Sequence, residues 1–150
     1  MSESDWDTID AALIRLRRVL ALPRQTSPSV DLSAVLVVDT IARRAARGER
    51  TRIVDIASQL SVAPSTASRL VAATLGAGYI ERSPSADDPR SVILLLTPSG
   101  EELTATAKRF RIGFLQRATV GWDEQTIATF AKLLHEFSSS QPGRDASTNF

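Results

Sequence analysis

The stretch from Thr51 to Leu96 decides the fold, and it reads TRIVDIASQL SVAPSTASRL VAATLGAGYI ERSPSADDPR SVILLL. It opens with a short run whose apolar residues are three, one and three positions apart, a spacing that predicts a helix with one side on the core. These residues are Ile53, Ile56, Ala57 and Leu60. After a turn at 61–63, Pro64 suits the first position of a second helix, because its missing N–H costs nothing there.

This second helix is predicted to run to about Ala77, since Gly78 can take the left-handed conformation that ends a helix. Its inward side is small and apolar, at Ala67, Leu70 and Val71. The opposite side combines short polar side chains with one long cationic donor and faces solvent or a partner. It consists of Ser65, Thr66, Ser68, Arg69 and Ala72.

A β-hairpin is predicted to follow the second helix. Tyr79-Ile80 begin one strand, and Ser91–Leu96 form the other, with apolar residues on both faces. The loop Ser83–Arg90 between them contains two prolines and three charged residues, and a hairpin with a long loop is the natural interpretation. Two helices joined by a tight turn and followed by a hairpin form the outline of a winged helix-turn-helix.

Further helices are predicted on both sides of this stretch, at Asp5–Leu20, Asp31–Ala46, Pro98 to about Ala118, and from Asp123 onward. The run AVLVV at 34–38 could also be a buried strand, but no breaker interrupts Leu32 to Ala46. The terminal helices carry narrow apolar stripes that could pack inside one chain. Their number favours an intertwined helical dimer instead. The predicted dimer residues are Trp6, Ile9, Leu13, Leu16, Phe130, Leu134 and Phe137.

The predicted fold class is mainly α: about six helices plus a β-hairpin wing, within one domain of residues 1–150. Residues 5–20 and 98–138 would form a helical dimerisation region, and residues 31–96 a winged helix-turn-helix lobe. Residues 139–150, which are rich in polar residues, are expected to be a disordered tail.

Composition argues against several classes of protein. The chain has no cysteine and a single histidine, His135, which lies within an apolar stripe. No glycine-rich phosphate loop and no histidine–carboxylate group with ligand spacing is present, so neither an enzyme nor a metal or cofactor site is expected. The acidic start does not resemble a signal peptide, and the apolar runs are too short to span a bilayer. A cytoplasmic protein without membrane contact is expected.

Charge is distributed unevenly along the chain. Between 40 and 96 there are eight arginines and five acidic residues, whereas the net charge of the whole chain is +1. A basic middle with acidic ends suits a module that meets phosphate, although a solvated face of mixed charge would look similar.

Two groups of residues fit contacts with DNA. A helix that enters the major groove needs small polar residues in its first turn and a long donor, which Ser65, Thr66, Ser68 and Arg69 supply. For an isolated helix, solvated hydroxyl groups would be the ordinary interpretation. In the loop, Asp88 could hold Arg90 in a fixed direction for entry into a minor groove. The simpler alternative is a surface salt bridge that stiffens a turn.

The residues from Ile53 to Leu103 resemble the winged helix-turn-helix of the MarR family of bacterial transcriptional regulators. The matching motifs are IVDIASQL, VAPSTASRL, Gly78 with YIER, and DDPRSVILLLTPSGEEL, in which Asp-x-Arg, a strand and Leu-Thr-x-x-Gly follow in the family's order. The sequence departs from the family near the end of the second helix, where Thr74 replaces a usual leucine, and at Gly76 and Val54. The changes at Thr74 and Gly76 make the end of the second helix less defined than its start.

The resemblance implies a homodimer that binds a pseudo-palindromic operator in double-stranded DNA. It is expected to act as a repressor, and such proteins often release DNA on binding a small, frequently aromatic or anionic, compound. Carried over by position, Ser65, Thr66, Ser68 and Arg69 would lie at the major groove. Arg90 would enter the minor groove with Asp88 orienting it, and Arg82 would approach the DNA backbone. The alternative is a winged-helix module that binds protein without DNA, but such a module should carry an apolar face on its second helix.

Overall fold

A computed structural model describes residues 3–20, 32–86, 88 and 91–140 of the chain. Within them lie six helices and one hairpin, which confirms the predicted fold class. The elements are α1 (Glu3–Leu20), α2 (Leu32–Ala46), α3 (Ile53–Leu60), α4 (Pro64–Gly76), β1 (Ile80–Pro84), β2 (Val92–Leu96), α5 (Pro98–Ala118) and α6 (Glu124–Ser139). The chain divides into two compact units, one up to Gly113 and the other from Phe114 onward.

Helix α2 forms the centre of the first unit. The run AVLVV is helical, which confirms the helix over the alternative strand. It places Val35, Val37, Val38 and Ile41 in the core with almost no exposure. Burial of several β-branched side chains offsets their weak helix propensity, because packing decides the conformation of a buried segment.

Helices α3 and α4 pack on this core through the residues that their spacing predicted. Ile56, Ala67 and Val71 are completely buried. The turn between the helices passes through Ser61, whose φ of 53° is left-handed, and the Val62 amide donates to the Ala57 carbonyl. Pro64 occupies the first turn of α4, as predicted.

The end of α4 is closed by two characteristic backbone hydrogen bonds. Gly78 has a φ of +78°, and its amide donates to the Leu75 carbonyl at 2.9 Å, while the Tyr79 amide donates to the Thr74 carbonyl at 3.2 Å. This pair of bonds is the Schellman motif, which favours glycine at the left-handed position. Thr74 is buried, and its hydroxyl donates to the Leu70 carbonyl at 2.7 Å. The departures at 74–76 therefore leave a well-defined helix end.

The predicted hairpin is present, and its strands pair antiparallel from Ile80 opposite Leu96 to Pro84 opposite Val92. Strand β1 thus continues into the residues predicted as loop. Strand β2 also bonds to the segment between α2 and α3, because the Leu94 amide donates to the carbonyl of buried Thr51 at 2.8 Å.

Helix α5 begins on this unit and is fixed to α2 by an ion pair. Leu103 and Ala107 are buried, and the Arg111 guanidinium lies 2.9 Å from the carboxylate of Asp39. Both charged side chains are about four-fifths buried. Asp39 also accepts a hydrogen bond from Arg43, so its carboxylate is paired with two guanidinium groups.

The second unit contains α6, which starts at its predicted cap. The Asp123 carboxylate accepts hydrogen bonds from the hydroxyl and the backbone amide of Thr126, and both lower the pKa of this carboxyl. The rings of Trp122 and Phe130 meet edge to face, 5.5 Å apart. Helix α6 reaches Ser139, one residue into the segment predicted as a tail, while residues 141–150 lie outside the described residues.

The stripes predicted for the dimer are exposed on the single chain. None of the residues of α6 is buried. All seven predicted side chains keep between 38% and 57% of their surface in contact with solvent. No helix in the described part of the chain is long and apolar enough to cross a membrane.

Candidate nucleic-acid interface

The outer side of α4 carries the residues predicted to meet DNA. Ser65, Ser68 and Arg69 are exposed and share one face of the helix, being three and four positions apart, whereas Thr66 is half-buried. Ala72 continues the same face one turn further and is also exposed. The opposite side is anchored by the completely buried Ala67 and Val71, so the backbone that carries these polar groups is firmly held.

The first turn of α4 is open to an external acceptor. Its capping position is Ala63, which offers no side-chain hydrogen bond to the amides that follow. Amides at a helix N-terminus and the helix dipole together favour an anion such as a phosphate. With short side chains at Ser65 and Thr66, this turn leaves space for close approach of a nucleic-acid backbone.

Four arginines of the basic middle form ion pairs within the described residues. Arg43, Arg44, Arg47 and Arg52 lie in ion pairs with Asp39, Glu49 or Asp55. The hydrogen bond from Arg47, together with the charges of Arg47 and Arg44, lowers the pKa of Glu49.

Two cations that the sequence singled out remain on the surface. Arg69 on α4 and Arg82 on β1 are both exposed, and neither forms an ion pair with a described residue. Their guanidinium groups can therefore pair with phosphate or with base acceptors without first breaking an internal contact.

The tip of the hairpin is described only in part. Asp88 is exposed, and its carbonyl accepts a hydrogen bond from the Ser91 amide at 2.9 Å. Arg90 lies outside the described residues, so its predicted orientation by Asp88 stays a prediction. The base of the loop is closed, because the Ser85 amide donates to the Ser91 carbonyl at 2.8 Å.

Two structural contacts near this surface were not predicted from the sequence. One joins Arg44, Arg50 and Ser85 across the loop between α2 and α3 and the base of the hairpin. The other presses Gly100 of α5 against the carbonyl of Tyr79. The Leu-Thr-x-x-Gly motif was a signal for the second contact, but nothing in the local pattern indicated the first. Among the described residues, no group of three or more acidic or histidine side chains could hold a metal ion.

Comparison with known proteins agrees with this architecture. The model of the MarR family matches residues 43–92. The uncharacterized HTH-type transcriptional regulator ML2140 of Mycobacterium leprae is 30% identical over 137 residues, which cover 89% of this chain and 92% of that protein.

Two solved structures share the fold at lower identity. Streptococcus pneumoniae FabT in complex with DNA has a TM-score of 0.71 and 23% identity, over 89% of this chain and 94% of that one. Bordetella bronchiseptica BpsR, whose DNA binding is regulated by 6-hydroxynicotinic acid, has a TM-score of 0.67 and 18% identity, over 94% and 97%. The helix-turn-helix, the hairpin and these matches together show that the chain belongs to the MarR family of transcriptional regulators.

Proposed function

We propose that this chain is a homodimeric, sequence-specific repressor that binds a pseudo-palindromic operator in double-stranded DNA. The observation that carries the proposal is the outer face of α4. A helix anchored by buried residues presents Ser65, Ser68 and Arg69 to the outside, next to an uncapped first turn. Family membership supplies the class of partner, and this face supplies the chemistry that meets it.

In this proposal α4 lies in the major groove. Arg69 would donate to the acceptors on a guanine edge, the commonest specific contact of an arginine with DNA. Ser65, Thr66 and Ser68 would bond to bases or phosphates near the helix start, where the backbone comes closest. A module that binds only protein would need an apolar face here, and the exposed side of α4 carries hydroxyl groups and an arginine instead.

The hairpin would act as the wing. Arg82 is exposed on β1 and would approach the DNA backbone. Arg90, oriented by Asp88, would enter the adjacent minor groove, whose negative potential attracts arginine where the groove is narrow. The charge of Arg82 supports the first contact, and the Asp-x-Arg motif supports the second.

Dimerisation would bury the exposed apolar stripes of the terminal helices. Side chains as large as Trp6 and Phe137 each keep more than half of their surface in water, and burial of such groups stabilises association at roughly 25 cal/mol for each square ångström. The proposed contacts are Trp6, Ile9, Leu13, Leu16, Phe130, Leu134 and Phe137. Two copies related by a twofold axis would present two α4 helices to successive major grooves.

We also propose a small aromatic or anionic effector, by analogy with BpsR, whose DNA binding is regulated by 6-hydroxynicotinic acid. Release from DNA would follow if the effector favours a dimer with a different α4 spacing. We further propose a cytoplasmic regulator without enzymatic activity.

The test is a fluorescence titration of the protein with a labelled duplex from the promoter region beside its own gene. A scrambled duplex of the same length serves as control. We expect a preference for the promoter duplex, with affinity falling by about a thousandfold between 50 and 200 mM salt as phosphate contacts release counterions. Absence of binding to either duplex at low salt would refute the proposal.

A further inference from the structure

We propose that Arg50 and Ser85 are positioning residues that fix the wing relative to α4, with Arg44 as their anchor. These three residues are called the wing tether below. The inference rests on the proposed function, since a fixed wing matters only if α4 and the wing engage DNA together.

The anchor is the guanidinium of Arg44 in the last turn of α2. Two of its nitrogens donate to the carbonyl of Arg50, Nη2 at 2.8 Å and Nε at 3.3 Å, and Nη1 lies 2.9 Å from the carboxylate of Glu49. Nη2 is also 3.5 Å from Asp55 at the start of α3. Only 16% of the Arg44 side chain is exposed. The backbone at residue 50 is therefore held by two donors of a partly buried guanidinium that also contacts α3.

From this fixed backbone, the Arg50 side chain reaches the hairpin. Its Nη1 donates to the hydroxyl of Ser85 at 3.1 Å, across 35 positions of sequence. Ser85 is 7% exposed and directly follows β1. Its amide donates to the Ser91 carbonyl. The tether therefore ends at the base of the wing loop.

The wing tether is not the only bond between the hairpin and the segment before α3. The segment before α3 also joins the hairpin through the bond from the Leu94 amide to the Thr51 carbonyl, but that bond lies near the middle of β2. The wing tether acts further out, at the base of the loop. A wing fixed in advance loses less conformational freedom when it binds, so its affinity is higher at equal contact.

The first measurement uses Ser85→Ala, which removes the acceptor without changing the charge. We expect this variant to bind the promoter duplex about threefold to tenfold more weakly, because the wing must be ordered on binding. The slope of affinity against salt should stay unchanged, since no phosphate contact is lost. The matched control is Ser83→Ala, two residues earlier and within β1, where the hydroxyl is 3.4 Å from the neighbouring Pro84 carbonyl. It should bind as the parent does.

Arg50 carries a charge, so its replacement would also weaken binding if Arg50 contacted phosphate directly. A double variant distinguishes such a contact from the tether to Ser85. With the tether as proposed, Arg50→Gln combined with Ser85→Ala should bind no more weakly than Arg50→Gln alone. Losses that multiply would overturn the inference. Equal affinity of Ser85→Ala and the parent, or an equal loss in Ser83→Ala, would overturn it as well.

Hydrogen exchange on the free protein tests the tether without DNA, so that its failure can be told from failure of the proposed function. In Ser85→Ala, exchange of the hydrogen-bonded amides at positions 85 and 91 should rise about fivefold, the effect expected from loss of one hydrogen bond that holds a local opening closed. Unchanged exchange would contradict the tether even if the parent binds DNA. Faster exchange in Ser85→Ala, together with a parent that binds no DNA, would leave the tether standing and refute the proposed function.

Discussion

Replacing Gly100 with alanine is expected to lower the free energy of unfolding by about 3 kcal/mol, the upper part of the usual range for overpacking. Gly100 is buried in the first turn of α5, and a Cβ there would overlap the backbone carbonyl of Tyr79. A flexible side chain could turn aside, but this carbonyl is fixed, because it accepts a hydrogen bond from the Thr97 amide at 3.1 Å.

The cap of α5 makes this contact rigid. The Thr97 hydroxyl accepts a hydrogen bond from the Gly100 amide at 3.2 Å and donates to the Gly78 carbonyl at 2.7 Å. One threonine thus joins the start of α5 to the end of α4, and a methyl group on Gly100 would push the two apart. The Leu-Thr-x-x-Gly motif has a physical cause here, since threonine makes the junction and glycine leaves room for it.

The measurement is urea unfolding followed by circular dichroism at one fixed chain concentration, since dimer stability depends on concentration. Gly76→Ala is the matched control. No atom lies within 4 Å of a Cβ at Gly76, and its φ is not positive. That variant should gain roughly 0.5–1 kcal/mol through better helix propensity. If Gly100→Ala unfolded at the same urea concentration as the parent, the close contact would be refuted.

Replacing Arg69 with alanine is expected to weaken operator binding roughly fivefold to 150-fold for each half-site, which corresponds to about 1–3 kcal/mol for one bidentate base contact. Thermal stability should stay nearly the same, because Arg69 is exposed and forms no ion pair within the described residues. Discrimination between the promoter duplex and a scrambled duplex should also fall, since a base contact and not only a phosphate contact is removed.

Arg43→Ala is the matched control, with the same loss of one positive charge. The Arg43 side chain is 67% exposed on α2, and its partner Asp39 keeps the ion pair with Arg111. Fluorescence titration at constant salt should show a change of less than about twofold for this variant. Equal weakening in both variants would mean that Arg69 contributes only through net charge, and the proposed role in base recognition would then be wrong.

Much of the fold could be predicted because local physics and burial agree. Apolar residues at helical spacing gave α1, α5 and α6 within a few residues, and Pro64 and Gly78 marked where α4 begins and ends. The α2 segment was harder, because AVLVV suits a buried strand and a buried helix equally well. Its uninterrupted length distinguished the two, together with the basic residues and the glycine at 43–48 that are typical of a helix C-terminus.

The candidate site was less accessible to sequence reasoning. The number of arginines indicated a basic middle of the chain. It could not show that Arg44 forms ion pairs within the protein whereas Arg69 is exposed. The contact between Arg50 and Ser85 joins irregular segments far apart in sequence. No helical or strand periodicity relates these two residues, so their contact is seen only in the folded structure.

The most direct test of the central claim is a dimethyl sulfate footprint of the protein on its promoter duplex, because this reagent reports guanine N7 in the major groove. A dimer that reads DNA with α4 should protect two patches centred about 10–10.5 base pairs apart. Arg69→Ala should lose the protection in both patches. Binding that leaves the major-groove guanines reactive, or that protects a single patch, would contradict recognition by a pair of α4 helices.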